Sequence, residues 1–215
     1  MIARLVGSEM CIRDRFSGHR WLGIHLGMTG SLQIEGSNYQ SHKHDALILF
    51  QSKQALIFRD PRQFGRLRMH IGKNAPPWWS ELPVSMLDQR FKPSVLSSAL
   101  SRHGKRPVKA LLLDQRYFQG MGNWMADEVL WRAHIHPARK CAEISSAEGK
   151  KLFTKIKFVV KGAMHSVGKH GGDPPKGWLF HVRWKNGGIC PKTKTPLARE
   201  EIGGRTSCWS PVLQK

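Results

Sequence analysis

The sequence predicts an α+β protein: an antiparallel β lobe, then a helical lobe, then a small terminal β module. Three observations carry this. Short apolar runs broken by Gly, Asn, Ser and Lys fill residues 16–72. A three- to four-residue apolar stripe behind a capping box fills residues 145–167. Paired glycine turns punctuate residues 178–215. Of the 215 residues, 40% are hydrophobic and 23% charged, enough apolar content to bury a core. Lys and Arg number 35 against 15 Asp and Glu, a net charge of +20. That excess points to a polyanion, nucleic acid first and an anionic membrane surface second. No apolar run approaches the ~18 residues of a membrane span, which excludes an integral helical membrane protein. The 4 cysteines form no CxxC pair. A dense disulfide scaffold is therefore excluded and a reducing compartment expected.

The elements follow in order. Met1–Arg15 has no secretory-signal layout. Met10–Asp14 is what one frame of a common transposase adapter (ATG TGT ATA AGA GAC) encodes. The segment is expected to be a scar outside the fold, which then starts at residue 16. Trp21–Met28, Ser31–Glu35, Ala46–Phe50 and Gln54–Arg59 read as strands of a sandwich or barrel-like lobe over 16–75. Residues 76–106, opening on Pro76-Pro77 and closing on a basic run, read as a linker with short helices. Residues 107–172 read as helical. Pro107 suits a first helical position before Val108–Asp114. Asn123 suits the N-cap of Trp124–Ala133. Ser145–Glu148 is a capping box ahead of the stripe Leu152, Ile156, Val160, Ala163 and Val167. Residues 173–215 read as a β finger, with a strand over Trp178–Trp184 and turns at Asn186–Gly188 and Gly203-Gly204.

Three stretches carry chemistry. In Tyr117–Glu128 two glycines flank Met121 before a helix start. Free N–H groups and the positive dipole end there suit a phosphate, and Lys105, Arg106 and Lys109 stand just upstream. In Phe58–Gly65, Asp60-Pro61 sets a turn that puts Arg62 and Phe64 near its tip. Either they fill the space left by an extruded base, or the Phe is buried and the Arg solvated. Gly27–Gly30 offers Met28 as a second wedge or as a core residue. His42/His44 and His134/His136 form HxH pairs with no carboxylate or Cys at helpful spacing for a metal. His44 is either a phosphate contact or a solvated turn residue. Cys141 reads as a small buried apolar residue.

Taken together, these stretches resemble the formamidopyrimidine-DNA glycosylase family, which includes the endonuclease VIII relatives. The matching pieces are His25–Leu32, Lys43–Asp45, Phe58–Gly65, Pro107–Gln115, Gln119–Pro137 and Gly203–Pro211, all in the family's order. The resemblance spans about residues 16–215. It implies a β-sandwich lobe, a helix–two-turns–helix lobe and a β-hairpin finger. It implies a bifunctional repair enzyme that flips an oxidised base from duplex DNA, cuts its glycosidic bond and nicks the abasic site by β,δ-elimination. Met28, Arg62 and Phe64 match residues that fill the base void, and Arg62 also meets the orphaned base. His44, Lys105, Lys109 and Asn123 match phosphate contacts. Arg205 matches a finger arginine that contacts phosphate and assists the second elimination. Glu128 matches an acidic position that supports the site. The implied partner is duplex DNA with damaged bases or abasic sites, bound by a cytoplasmic, nucleoid-associated bacterial protein; a monomer is expected, because no self-complementary apolar stripe stands out.

The sequence departs from the family pattern in two places. The family's nucleophile is an N-terminal proline amine followed by a glutamate, with a lysine in a later strand of that lobe. No residue here matches them. Truncation is the expected cause, with loss of catalysis and a weakened β lobe as its consequences. A non-catalytic lesion-binding protein is the alternative, and an RNA-binding protein a third reading. In the finger, only Cys190 stands at one of the family's four zinc-ligand positions, while Thr193, Ser210 and Leu213 hold the others. No zinc or other cofactor is expected. The short stretch from Gly172 to Trp178 leaves lesion preference open.

Overall fold

The computed structural model describes residues 11–27, 30–80, 83–168 and 172–215. The chain divides into two units, Met1–Glu81 and Leu82–Lys215.

The first unit holds six strands: β1 (Cys11–Phe16), β2 (Arg20–His25), β3 (Ser31–Gly36), β4 (Asp45–Phe50), β5 (Gln54–Arg59) and β6 (Arg66–Ile71). They form two antiparallel three-stranded sheets, ordered β1-β2-β6 and β3-β5-β4. Leu22, Ile24 and Leu26 from one sheet share a core with Phe58, Leu32, Leu47 and Leu49 from the other, so the sheets pack face to face. A short helix, α1 (Pro77–Ser80), covers β2. Trp79 stands edge-on to Trp21 at 4.9 Å. A Cβ at Gly23 would come within 2.9 Å of the Trp78 ring, so only glycine admits this approach.

Two strands went unforeseen. Residues expected to lie outside the fold supply most of β1, paired from Cys11↔His25 to Phe16↔Arg20. Ladder bonds use backbone groups alone, so an unremarkable sequence satisfies the edge of β2. β6 alternates Arg66, Arg68 and His70 with Leu67, Met69 and Ile71, and these three apolar side chains are exposed.

The second unit holds α2 (Pro93–Arg102), α3 (Val108–Leu112), α4 (Asn123–Ala133), α5 (Ser146–Ala163) and the hairpin β7 (Ala198–Ile202) and β8 (Arg205–Trp209). The stretch 76–106, expected as a linker with short helices, does carry α2, which buries Leu96, Ala99 and Leu100 in the helical core. α5 begins at Ser145, whose Oγ accepts from Glu148 N while Glu148 Oε2 accepts from Ser145 N. Its stripe buries Leu152, Ile156, Val160 and Ala163. Val167 leaves the stripe because a π-turn over Met164–Gly168 shifts the register. Pro107 caps α3 from outside. Trp178–Trp184 is not a strand but a 3-10 turn, Leu179–His181, with irregular flanks. A second core of Trp131, Leu179, Cys190, Leu197 and Cys208 ties the finger to α4. Among the described residues no helix is long and apolar enough to cross a membrane.

Candidate nucleic-acid interface

In the first unit the β5–β6 loop leaves Arg62 and Phe64 in solvent. Phe64 is 52% exposed, which removes the buried-Phe reading, and the Arg62 guanidinium lies 4.7 Å over its ring. The His44 turn sits beside this loop, with Asp60 N donating to His44 O at 2.8 Å. Asp45 anchors the turn to β5: Arg59 Nε meets its Oδ1 at 2.8 Å, and Tyr39 donates to its Oδ2. Burial alone would raise the Asp45 carboxyl, but hydrogen bonds from Arg59, His42 and Tyr39 bring it down to about 2. A hollow of about 300 Å³ opens among Lys43, His44, Asp60 and Gln63. Met28 lies outside the described residues.

In the second unit Lys105 is exposed in the turn before α3, and Arg205 is exposed at the start of β8. The turn into β8 places Gly203 and Gly204 at φ +62° and +75°, a conformation suited to glycine. Asn123 is the first residue of α4, and Gly122 takes the N-cap position. The Asn123 side chain is committed elsewhere: its Nδ2 donates to Thr206 O at 2.9 Å, next to Arg205. Its Oδ1 has no partner.

Lys109 does not reach a phosphate. It is fully buried, with Nζ 2.6 Å from Asp127 Oδ1. It also donates to Ser207 Oγ at 2.7 Å and Thr206 O at 3.0 Å. Burial pushes its pKa down, and Asp127 opposes that. Asp127 Oδ2 accepts from Arg183 at 2.6 Å and from Cys208 N at 3.1 Å. One carboxylate thus locks α3, α4, the 183 segment and β8 together, and sets the hairpin that carries Arg205. Glu128 works alongside it, with Oε1 accepting from Arg132 and Oε2 from Leu179 N. Burial raises its pKa. Sequence reasoning gave Asp60 only as a turn former and missed Asp127 and Arg183. The signal for Asp127 was an acidic residue at a helical position facing inward, adjacent to Glu128.

The finger does not fit a zinc ion. Cys190 is buried and its Sγ accepts from Trp131 Nε1 at 3.4 Å. Burial raises the thiol, but bonds from Thr193 and Trp131 outweigh it and hold it at about 7. Thr193 is paired with Thr195, and Leu213 packs in the finger core. The alkyl side chain at Leu213 has no donor atom to offer, and a hydroxyl such as Ser210 is a poor zinc ligand beside one thiolate. Burial pushes the Cys141 and Cys208 thiols up to about 11. Cys141 is a packed apolar residue, as expected. No group of three or more His, Cys, Asp or Glu gathers among the described residues.

Two family models match the chain. The formamidopyrimidine-DNA glycosylase N-terminal domain covers residues 9–67, starting ahead of residue 16, and the formamidopyrimidine-DNA glycosylase H2TH domain covers 82–172. A formamidopyrimidine-DNA glycosylase of Thermomicrobium roseum is 33% identical, over 93% of this chain and 77% of that protein. One from Arabidopsis thaliana is 30% identical over 88% of this chain, which spans about half (52%) of that relative. Among solved structures, MutM (Fpg) from Thermus thermophilus is 28% identical with a TM-score of 0.79, covering 100% of this chain and 82% of that one. Lactococcus lactis Fpg (MutM), solved with FAPY-dG-containing DNA, reaches a TM-score of 0.84 at 22% identity, covering 99% and 81%, a likeness of fold alone. The chain belongs to the formamidopyrimidine-DNA glycosylase family.

Proposed function

We propose that the protein is a base-excision glycosylase with lyase chemistry on duplex DNA carrying damaged bases or abasic sites, and that the residues of this sequence supply its grip on that DNA without matching its nucleophile. The observation that carries this is the solvent-exposed Arg62–Phe64 pair on a loop braced against the His44 turn. An aromatic wedge unstacks a base step, and an adjacent arginine meets the base left unpaired. His44 and Lys105 would hold backbone phosphates. Asn123 would present the α4 N-terminus and its free N–H groups to another. Arg205 would place its charge at the strand phosphate that leaves during elimination. Met28 remains a third filler on the resemblance alone. A cytoplasmic monomer without zinc is the form this reading takes.

The chemistry requires an amine that attacks the sugar C1′, displaces the base and leaves an imine. No residue of this sequence matches that amine, so the second reading is a clamp that binds lesions without cutting them. Borohydride trapping on abasic duplex separates the two. A covalent protein–DNA adduct with strand nicking supports the enzyme. Binding without adduct supports the clamp. Absence of binding to lesion duplex refutes both.

A further inference from the structure

Asp60 has no role in the reading above, yet the wedge loop closes on it. Its side chain is 4% exposed. Its N–H donates to His44 O at 2.8 Å and its carbonyl accepts from Gln63 N at 3.2 Å. Its Oδ2 accepts from Gly65 N at 2.6 Å. These bonds bracket Arg62 and Phe64 on both sides. They also hold Gln63 at φ +56°, a conformation that non-glycine residues rarely adopt without support. A Cβ at Gly65 would stand 2.7 Å from Asp60 Oδ2 and 2.5 Å from Phe58 Cζ. On the other side, a Cβ at Gly27 would stand 2.8 Å from the Phe64 carbonyl carbon. The wedge loop thus meets the His44 turn through the Asp60 backbone and the Gly27 turn at the Phe64 carbonyl, and the Asp60 side chain ties its far end at Gly65.

The arrangement carries a cost. Asp60 Oδ1 is buried without a hydrogen-bond partner, and Asp60 lines the hollow with Lys43 and His44. A neutral side chain would avoid burying that charge. In exchange the carboxylate supplies a charge-assisted bond to a backbone N–H, stronger than a neutral one.

We propose that Asp60 is a positioning residue. It fixes the Arg62–Phe64 wedge relative to the phosphate contact of His44, so that filling a base void and gripping the backbone happen in one register. This rests on the base-extrusion reading above.

The test uses the full 215-residue chain. Its affinity is measured for intact duplex and for duplex with a tetrahydrofuran abasic site opposite 2-aminopurine. The unaltered chain is expected to prefer the abasic duplex and to change the 2-aminopurine emission. Asp60→Ala is expected to lose about tenfold of that preference and the emission change with it. Asp60→Asn keeps an oxygen for Gly65 N–H and should restore at least half of both. Gly65→Ala, which pushes the amide off the carboxylate, should fail like Asp60→Ala and decides the matter if that variant does not fold. A purely structural role would lower the melting temperature and leave the preference of the folded protein intact. That result, or Asn failing as far as Ala, overturns the proposal. Equal affinity of the unaltered chain for both duplexes would instead overturn the base-extrusion reading, and this inference with it.

Discussion

Lys105, in the turn before α3, and Lys109, inside it, stand four residues apart and serve opposite ends. Lys105 faces solvent, whereas Lys109 is sealed against Asp127. Sequence alone assigns both to phosphate, because a basic run gives no sign of the carboxylate that will reach one of its members across the fold. Substitution tests the difference. Lys109→Met leaves Asp127 underpaired in the interior and is expected to cost about 3 kcal/mol of stability in a urea titration. The salt slope of DNA binding should not change, whereas losing a real phosphate contact would lower it by about 0.9. A second expectation concerns acid. Asp45 and Glu148 both sit near 2, against ordinary values of 3.8 and 4.5. The folded chain therefore favours their ionised forms. Their contribution is complete above the ordinary values and is lost as pH falls toward 2. Denaturation midpoints followed down that window should fall, and Asp45→Asn should flatten its share of the fall.

The helices were the most legible elements. The Ser145 capping box and the stripe behind it placed α5 because cap and core face are both local in sequence. A short helix is legible in 76–106, but not its place in the core, because its buried face is only Leu96, Ala99 and Leu100 among serines. Arg66–Ile71 alternates with period two, yet its apolar side chains are exposed, so the alternation marks no core face. β1 was not legible, because its place depends on the free edge of β2. Among the described residues β6 stands at the edge of its sheet, with Leu67, Met69 and Ile71 exposed along it. Such an edge invites pairing with other chains. Met69→Lys should reduce concentration-dependent light scattering without lowering the melting temperature; unchanged scattering would show that the edge is protected.

Across the whole molecule, the net charge of +20 narrowed the partner to a polyanion and went no further. The motifs carried the rest: six short stretches in one order were enough to name the family. They could not disclose that the second unit hangs on Asp127 or that the wedge loop hangs on Asp60. The Asp127 contacts join segments 56 and 81 residues apart, the Asp60 bond to Gly65 is local but follows from the loop's shape, and neither aspartate stands out by type. The finger's packing was not legible: Trp131, Leu179, Cys190 and Leu197 form a core there that joins residues far apart in sequence.

The central claim is that the exposed Arg62–Phe64 pair recognises a base void. The direct measurement is a competition at fixed salt among abasic duplex, intact duplex and single-stranded RNA, with Arg62→Ala/Phe64→Ala as control. The account predicts at least about a tenfold preference for the abasic duplex, abolished in the double variant while binding to intact duplex persists. Equal affinity for all three nucleic acids, or a preference that survives the double substitution, would contradict it.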